Sequence, residues 1–216
     1  MSPAPRPPRG PYGKTRGRVE LVARTAHEVV LESGHRALTL AEVARRADLS
    51  EAQVLYHFPS RDHLLVAALK HALDRQGEDY GHRPVAPGTD PVDAFAANVN
   101  EGLSDPPVLR LFVAMSAEAT DPDHPAHAWS REHHEGVVRG YARMLRNLQE
   151  SGWAHPDVEP DRFARQLMAL WEGLQAQWLV DPSFDLGAEV AAGVRVLARR
   201  DAVLAREAVE SLAHRL

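Results

Sequence analysis

The sequence predicts an all-α chain of about nine helices, with a three-helix helix-turn-helix domain at its N-terminus and a helical domain after it. Three observations predict it. Apolar residues recur at spacings of three and four along most of the chain, the period of a helix with one buried face. No stretch alternates apolar and polar residues between turn signals, as a half-buried strand would. Breaks rich in Pro, Gly and Asp interrupt the helical stretches, among them Gly34, Phe58-Pro59-Ser60, 81–91, Asp105-Pro106-Pro107, 121–125, 152–160 and Asp181-Pro182. Proline lacks the helix donor and disfavours helix at the residue before it.

Composition narrows the function classes. The 216 residues are 44% apolar, enough to bury a core. There is no cysteine, so no disulfide, thiolate metal site or cysteine nucleophile is possible. No apolar run approaches the ~20 residues of a spanning helix, and the basic N-terminus has no apolar stretch behind it, unlike a signal peptide. A cytoplasmic protein without a membrane partner is expected. Net charge is −5, yet residues 1–70 carry 11 Lys/Arg against 7 Asp/Glu, while the remainder carries 14 against 23. Such asymmetry points to a basic part that meets a polyanion and an acidic part that does not.

Residues 1–13 are too rich in Pro and Gly to fold alone and read as a flexible basic arm. Arg6, Arg9, Lys14, Arg16 and Arg18 all precede the first acidic residue, Glu20, so Lys14 and Arg16 are candidate DNA contacts. A first helix then carries Val19, Val22, Ala23, Ala26, Val29 and Val30 on one face. Thr39, with Glu42 three residues on, is a capping box for a short helix from Leu40 to Arg46. Val43, Ala44 and Ala47 face inward, and Asp48 stands where the chain turns. Ser50 caps a second short helix from Glu51 to about His57. Leu49, Val54 and Leu55 are expected to hold the pair together.

A helix of this kind fits the major groove, with its N-terminal side chains at base edges. The exposed positions there are Ser50, Glu51, Ala52 and Gln53. Gln bonds adenine bidentately, Ala meets a thymine methyl, and Ser is indiscriminate. Thr39, Tyr56 and His57 suit phosphate donors, and Arg61 adds a cationic one.

In combination, Leu38-Thr39-Leu40, Val43-Ala44, Ala47-Asp48-Leu49-Ser50, Val54, His57-Phe58-Pro59-Ser60-Arg61 and Leu64-Leu65 resemble the N-terminal signature of TetR-family regulators over roughly residues 15–70. The resemblance implies a DNA-binding domain over 14–60, with Ser50–His57 as recognition helix and Thr39, His57 and Arg61 near phosphates. It implies a domain over 61–216 that dimerises through its last two long helices and holds an effector cavity. Two positions depart from the family pattern: Leu55 stands where tyrosine is usual, and Asp48 where glycine is usual. A left-handed backbone at Asp48 is tolerable but costs more than at glycine.

The second domain offers material for both roles. The helix Asp161–Val180 is apolar over a broad arc, which suits contacts on two sides. Phe163, Leu167, Leu170 and Leu174 there, with Val190, Val194 and Leu197 in a final helix reaching Leu204, are the expected dimer interface. Phe112, Met115, Met144, Met168, Trp171 and Gln175 suit an adaptable apolar pocket with one orienting amide, and each equally suits plain core packing. His124, His127, His133 and His134 lack the motif of a metal site, so solvated surface is expected, with no metal and no cofactor. No nucleophile elbow or phosphate loop organises an active site, so a helical enzyme is the least favoured alternative.

The reading is therefore a DNA-binding repressor, a homodimer on a palindromic operator of double-stranded DNA. An unknown small-molecule effector, apolar or aromatic in character, releases it. The alternative is a DNA-binding regulator with no such effector.

Overall fold

A computed structural model describes residues 11–76, 89–102 and 105–213, and all described secondary structure is helical. The chain divides into two compact units, 1–75 and 76–216. The division falls later than the expected boundary at residue 60, because the helix after Pro59 belongs with the N-terminal unit.

In the first unit, α1 spans Pro11–Ser33, a single 3₁₀ turn His35–Ala37, α2 Leu40–Arg46, α3 Glu51–His57 and α4 Arg61–Gln76. Helix α1 thus begins inside the expected arm, of which residues 1–10 lie outside the described residues. Its inward stripe is Val22, Ala26, Val29 and Val30, all nearly inaccessible, whereas Val19 is 36% exposed. Gly34 ends the helix with φ 78°, and its N–H still donates to the Val30 carbonyl at 2.9 Å. Glycine takes that left-handed conformation without strain. Helix α1 packs on the 3₁₀ turn and α2, and α2 on α3.

In the second unit, α5 spans Pro91–Gly102, α6 Pro106–Glu118, α7 Ala126–Glu150, α8 Pro160–Val180, α9 Leu186–Leu197 and α10 Arg200–Ala213. Proline opens α6 and α8 at positions that need no donor. Glu159 caps α8, accepting from the Asp161 and Arg162 N–H groups at 2.9 and 2.6 Å. Asp185 caps α9 through the Ala188 N–H at 3.0 Å. The expected single final helix is broken: Arg199 adopts φ 54°, and the Ala198 carbonyl turns to accept the His155 N–H at 3.0 Å. That break gives ten α-helices among the described residues instead of about nine.

The core of this unit lies where α8 crosses α7 and α9 and where α5 meets α9. Leu145, Phe163, Leu167, Leu186, Val190 and Val194 are at most 1% exposed there. The crossings are close. A Cβ on Gly193 would stand 2.0 Å from a Leu170 methyl. A Cβ on Gly187 would stand 2.5 Å from the Ala96 carbonyl oxygen and 2.7 Å from the Asn100 amide. Asn100 locks that contact, accepting from the Gly187 N–H and donating to Asp185, each at 2.9 Å.

Two glycines should therefore respond oppositely to alanine. Gly187→Ala meets backbone that cannot yield and should destabilise by about 1–3 kcal/mol. Gly173→Ala, mid-helix with open space around it, should be neutral or stabilise by up to about 1 kcal/mol. Urea unfolding of the two variants checks the pair.

Candidate DNA-binding surface and effector cluster

The first unit presents two helices of seven residues each, too short to persist alone. Local bonds set both. Thr39 Oγ1 accepts the Glu42 N–H at 3.2 Å, so the expected cap exists. Its reciprocal half does not form. The Glu42 carboxylate instead accepts from Arg45 Nε and Nη2 at 3.0 and 2.8 Å and from Arg46 Nε at 2.6 Å. Arg46 also reaches Glu32 at 2.6 Å, tying α2 to α1. Hydrogen bonds from Arg45 and then Arg46 lower the Glu42 pKa from its usual 4.5 to about 2.

The turn follows. Asp48 takes φ 53°, the left-handed conformation expected there, and the Leu49 N–H donates to the Ala44 carbonyl at 3.0 Å. Ser50 then closes a complete capping box. Its Oγ accepts the Gln53 N–H at 3.2 Å, and its own N–H donates to Gln53 Oε1 at 2.9 Å. Val54 is the inward anchor of α3. Leu55 is 42% exposed, so it points outward and does not hold the pair together as expected.

The predicted DNA residues fall into four groups. Glu51, Ala52 and Tyr56 are exposed on α3, Tyr56 at 82% and edge-on to the half-buried His57 ring at 4.9 Å. Thr39, Ser50 and Gln53 are exposed too, but their side chains are engaged as caps. Arg61 is held by backbone. Its Nε donates to the Leu38 carbonyl at 2.9 Å, and its Nη2 to His35 and Arg36 carbonyls at 2.6 and 3.4 Å. Arg16 is exposed on α1, while Arg6, Arg9 and the Lys14 side chain lie outside the described residues.

In the second unit a different cluster forms between α6, α7 and α8. Trp129 and His133 stack, centroids 5.1 Å apart and planes at 20°. Phe112 stands edge-on to both, at 6.4 and 5.6 Å. His134, 6.3 Å from His133 between centroids, stands 3.5 Å from Glu172 Oε1 on α8, an oxygen that accepts no hydrogen bond from the described residues. One turn along α8, Gln175 is 1% exposed, and its Oε1 accepts no hydrogen bond from the described residues. The Ser116 and Ser130 hydroxyls are buried and unpartnered in the same sense. Burial, and secondarily the charge of His134, holds the His133 pKa below its usual value.

Of the predicted pocket residues, Phe112 joins this cluster, and Gln175 lies one turn along α8 from Glu172. Met115 is buried on α6. Met168 sits in the main core of the unit, and Met144 and Trp171 pack against that core. Sequence reasoning missed Trp129, His133 and Glu172. Their signal was a four-residue aromatic spacing on one helix and a lone carboxylate within an apolar stripe. The His-rich stretch is not plain solvated surface either. His127 Nδ1 bonds the Ala119 carbonyl at 2.8 Å and His124 Nδ1 accepts the Ala126 N–H at 3.2 Å, tying the loop before α7.

The predicted dimer face needs correction. Phe163, Leu167, Val190 and Val194 are at most 1% exposed within this chain, so they fill its own core and have no surface to offer a second copy. Leu170, Leu174 and Leu197 are half-buried. Val180 and Val196, at 87% and 71%, are exposed on the same helices.

Two capped short helices meeting at a left-handed turn, beside a separate helical unit, define a helix-turn-helix regulator. Residues 23–68 match the family described as bacterial regulatory proteins of the tetR family, and residues 92–202 match the BetI-type transcriptional repressor, C-terminal. The chain belongs to the TetR family of transcriptional regulators, with a C-terminal unit of the BetI type. It is 30% identical over 172 residues to the HTH-type transcriptional regulator BetI of Burkholderia thailandensis, covering 75% of this chain and 80% of that protein. A TetR regulator of Haloarcula marismortui shares the fold at TM-score 0.67 and 17% identity, over 85% of this chain and 97% of that one. A transcriptional regulator from Saccharomonospora viridis, in complex with choline, does so at 0.60 and 19%, over 84% and 94%. No helix among the described residues is long and apolar enough to cross a membrane.

Two predictions follow from the bonds around α2. Arg61→Ala should destabilise the protein by roughly 1–3 kcal/mol. Arg61→Lys should recover little, because the carbonyls need a planar fork. The salt slope of DNA binding should stay unchanged in both; a slope lower by about one would instead put Arg61 on a phosphate. For Glu42, a carboxyl pKa depressed in the folded state stabilises above about pH 4.5, and that contribution fades as pH falls toward 2. Glu42→Gln should flatten this part of the acid-unfolding curve followed by circular dichroism.

Proposed function

We propose that the chain works as a cytoplasmic homodimer, a regulator and not an enzyme, that represses by binding a palindromic operator. Each copy inserts α3 into the major groove, and two-fold pairing sets the half-site spacing. Glu51, Ala52 and Tyr56 face the bases, with Thr39 and His57 beside the phosphates. The dimer contact runs along the outer sides of α8 and α9.

An effector binding in the second unit releases the DNA. The observation that carries its chemistry is the cluster of Phe112, Trp129 and His133 rings, with the Glu172 carboxylate on the facing helix. Aromatic faces attract a cation with an apolar skin, and a half-buried carboxylate balances its charge. Burial holds the His133 pKa below its usual value, which favours the neutral ring beside a cation. Quaternary ammonium ions fit this set, and the neighbour of the same fold in complex with choline supports the class. The unpartnered Gln175 Oε1 would accept from a hydroxyl on such a ligand. Effector binding shifts the dimer only as far as its affinities for the two shapes differ.

The test is a titration of choline into the protein bound to DNA from upstream of its own reading frame. Choline should raise the melting temperature of the free protein and release the DNA. Trp129→Ala should weaken choline binding about two- to thirtyfold, as expected for ~0.5–2 kcal/mol of cation–π attraction, and Glu172→Gln should weaken it similarly. Sequence-selective DNA binding that no quaternary ammonium ion affects would leave the regulator and remove this effector class.

A further inference from the structure

The outward face of α3 is apolar. With 100° between successive residues, Ala52, Leu55 and Tyr56 stand together on the side opposite Val54, which is fully buried. Leu55 and Tyr56 are exposed at 42% and 82%, and Ala52 is exposed between them. The polar reader expected beside them is engaged elsewhere: the Gln53 amide oxygen accepts the Ser50 N–H at 2.9 Å and stands 3.3 Å from its hydroxyl. A bidentate pair with adenine needs both the oxygen and the NH₂ of the amide, so the closed capping box withholds half of it. Among the groups that base pairs present in the major groove, the thymine methyl is the apolar one. Three side chains on a helix of seven residues are also far too few for the ~800 Å² per partner of a protein interface.

We infer that the strip Ala52–Leu55–Tyr56 reads thymine methyl groups and so fixes T·A pairs in each operator half-site, while Gln53 serves as a helix cap and not as a base reader. This rests on the proposal that α3 enters the major groove. The remaining exposed group at the start of the helix, Glu51, accepts from a cytosine amine if one lies within reach. The methyl strip itself needs no charged partner.

The experiment selects an operator from randomised duplexes with the full-length protein, then replaces each thymine of the half-site in turn with deoxyuridine. The replacement removes one methyl, keeps the Watson–Crick edge and leaves the protein untouched. At one or two positions the affinity should fall about fourfold, the effect of one methyl buried at ~0.8 kcal/mol. Leu55→Ala, at an exposed site, should weaken binding to the thymine duplex and erase the deoxyuridine penalty at the position it touches. Gln53→Ala should lower affinity for all duplexes alike and keep the selected sequence. Deoxyuridine tolerated at every position overturns the inference, as does a Gln53→Ala variant that loses its preference at one A·T pair. Failure to select any sequence removes the groove-reading proposal and the inference with it, an outcome distinct from a selected operator indifferent to deoxyuridine.

Discussion

A seven-residue helix cannot pay its own nucleation cost, and the helix-turn-helix of this protein consists of two of them. Everything about its surface follows from how they are pinned. Val43 and Val54 supply the fully buried anchors. Side-chain pairs from Arg46 to Glu32 and Glu42 add to them, and so do bonds to backbone: Thr39 and Ser50 on free N–H groups, the Leu49 N–H on the Ala44 carbonyl across the turn, and Arg61 on the carbonyls leading into α2. Backbone-directed bonds fix position more tightly than side-chain pairs, because they leave no rotamer freedom on one partner. Thr39, Ser50, Gln53 and Arg61 have the chemistry of DNA contacts, and each also helps to hold the surface it belongs to. What stays uncommitted on α3 is Glu51 and the apolar strip.

The second unit inverts this logic. Its core is long-range apolar packing, drawn close at Gly187 and Gly193, where no side chain larger than hydrogen fits without a shift. Its polar anomalies gather away from that core. An unpartnered buried polar atom costs about 1–3 kcal/mol, so the Gln175 oxygen and the Ser116 and Ser130 hydroxyls are weak points that a ligand with matching groups would relieve. The same helices bring the aromatic rings and the Glu172 carboxylate together.

How far the sequence was readable tracks how local the physics is. The bounds of α2 and α3 were legible, because caps and turn residues act over three or four positions. So was the left-handed Asp48. Which of two capping boxes closes was not. Glu42 has Arg45 and Arg46 within one turn and goes to them, while Gln53, without a charge, goes to the cap. Arg61 bonds to carbonyls 23 and 26 residues back in the chain, a distance no local pattern encodes. The break at Arg199 carries neither Pro nor Gly. The broad apolar arc of α8 packs on α7 and α9 of the same chain, and an arc by itself does not say whether a further neighbour belongs to the same chain or to a second copy.

That last ambiguity bears on how two copies would pair. Phe163, Leu167, Val190 and Val194 already have their full burial within one chain, so association gains nothing more from them at ~25 cal/mol per Å². Any apolar gain must come from side chains that still meet water, which on α8 and α9 include Val180, Val196 and the open sides of Leu170, Trp171, Leu174, Trp178, Leu179 and Leu197. The chain after residue 70 is also net acidic, 23 carboxylates against 14 cations, so two such units repel at distances inside the ~10 Å screening length. A dimer built on these helices would draw its gain from that remaining apolar surface at short range.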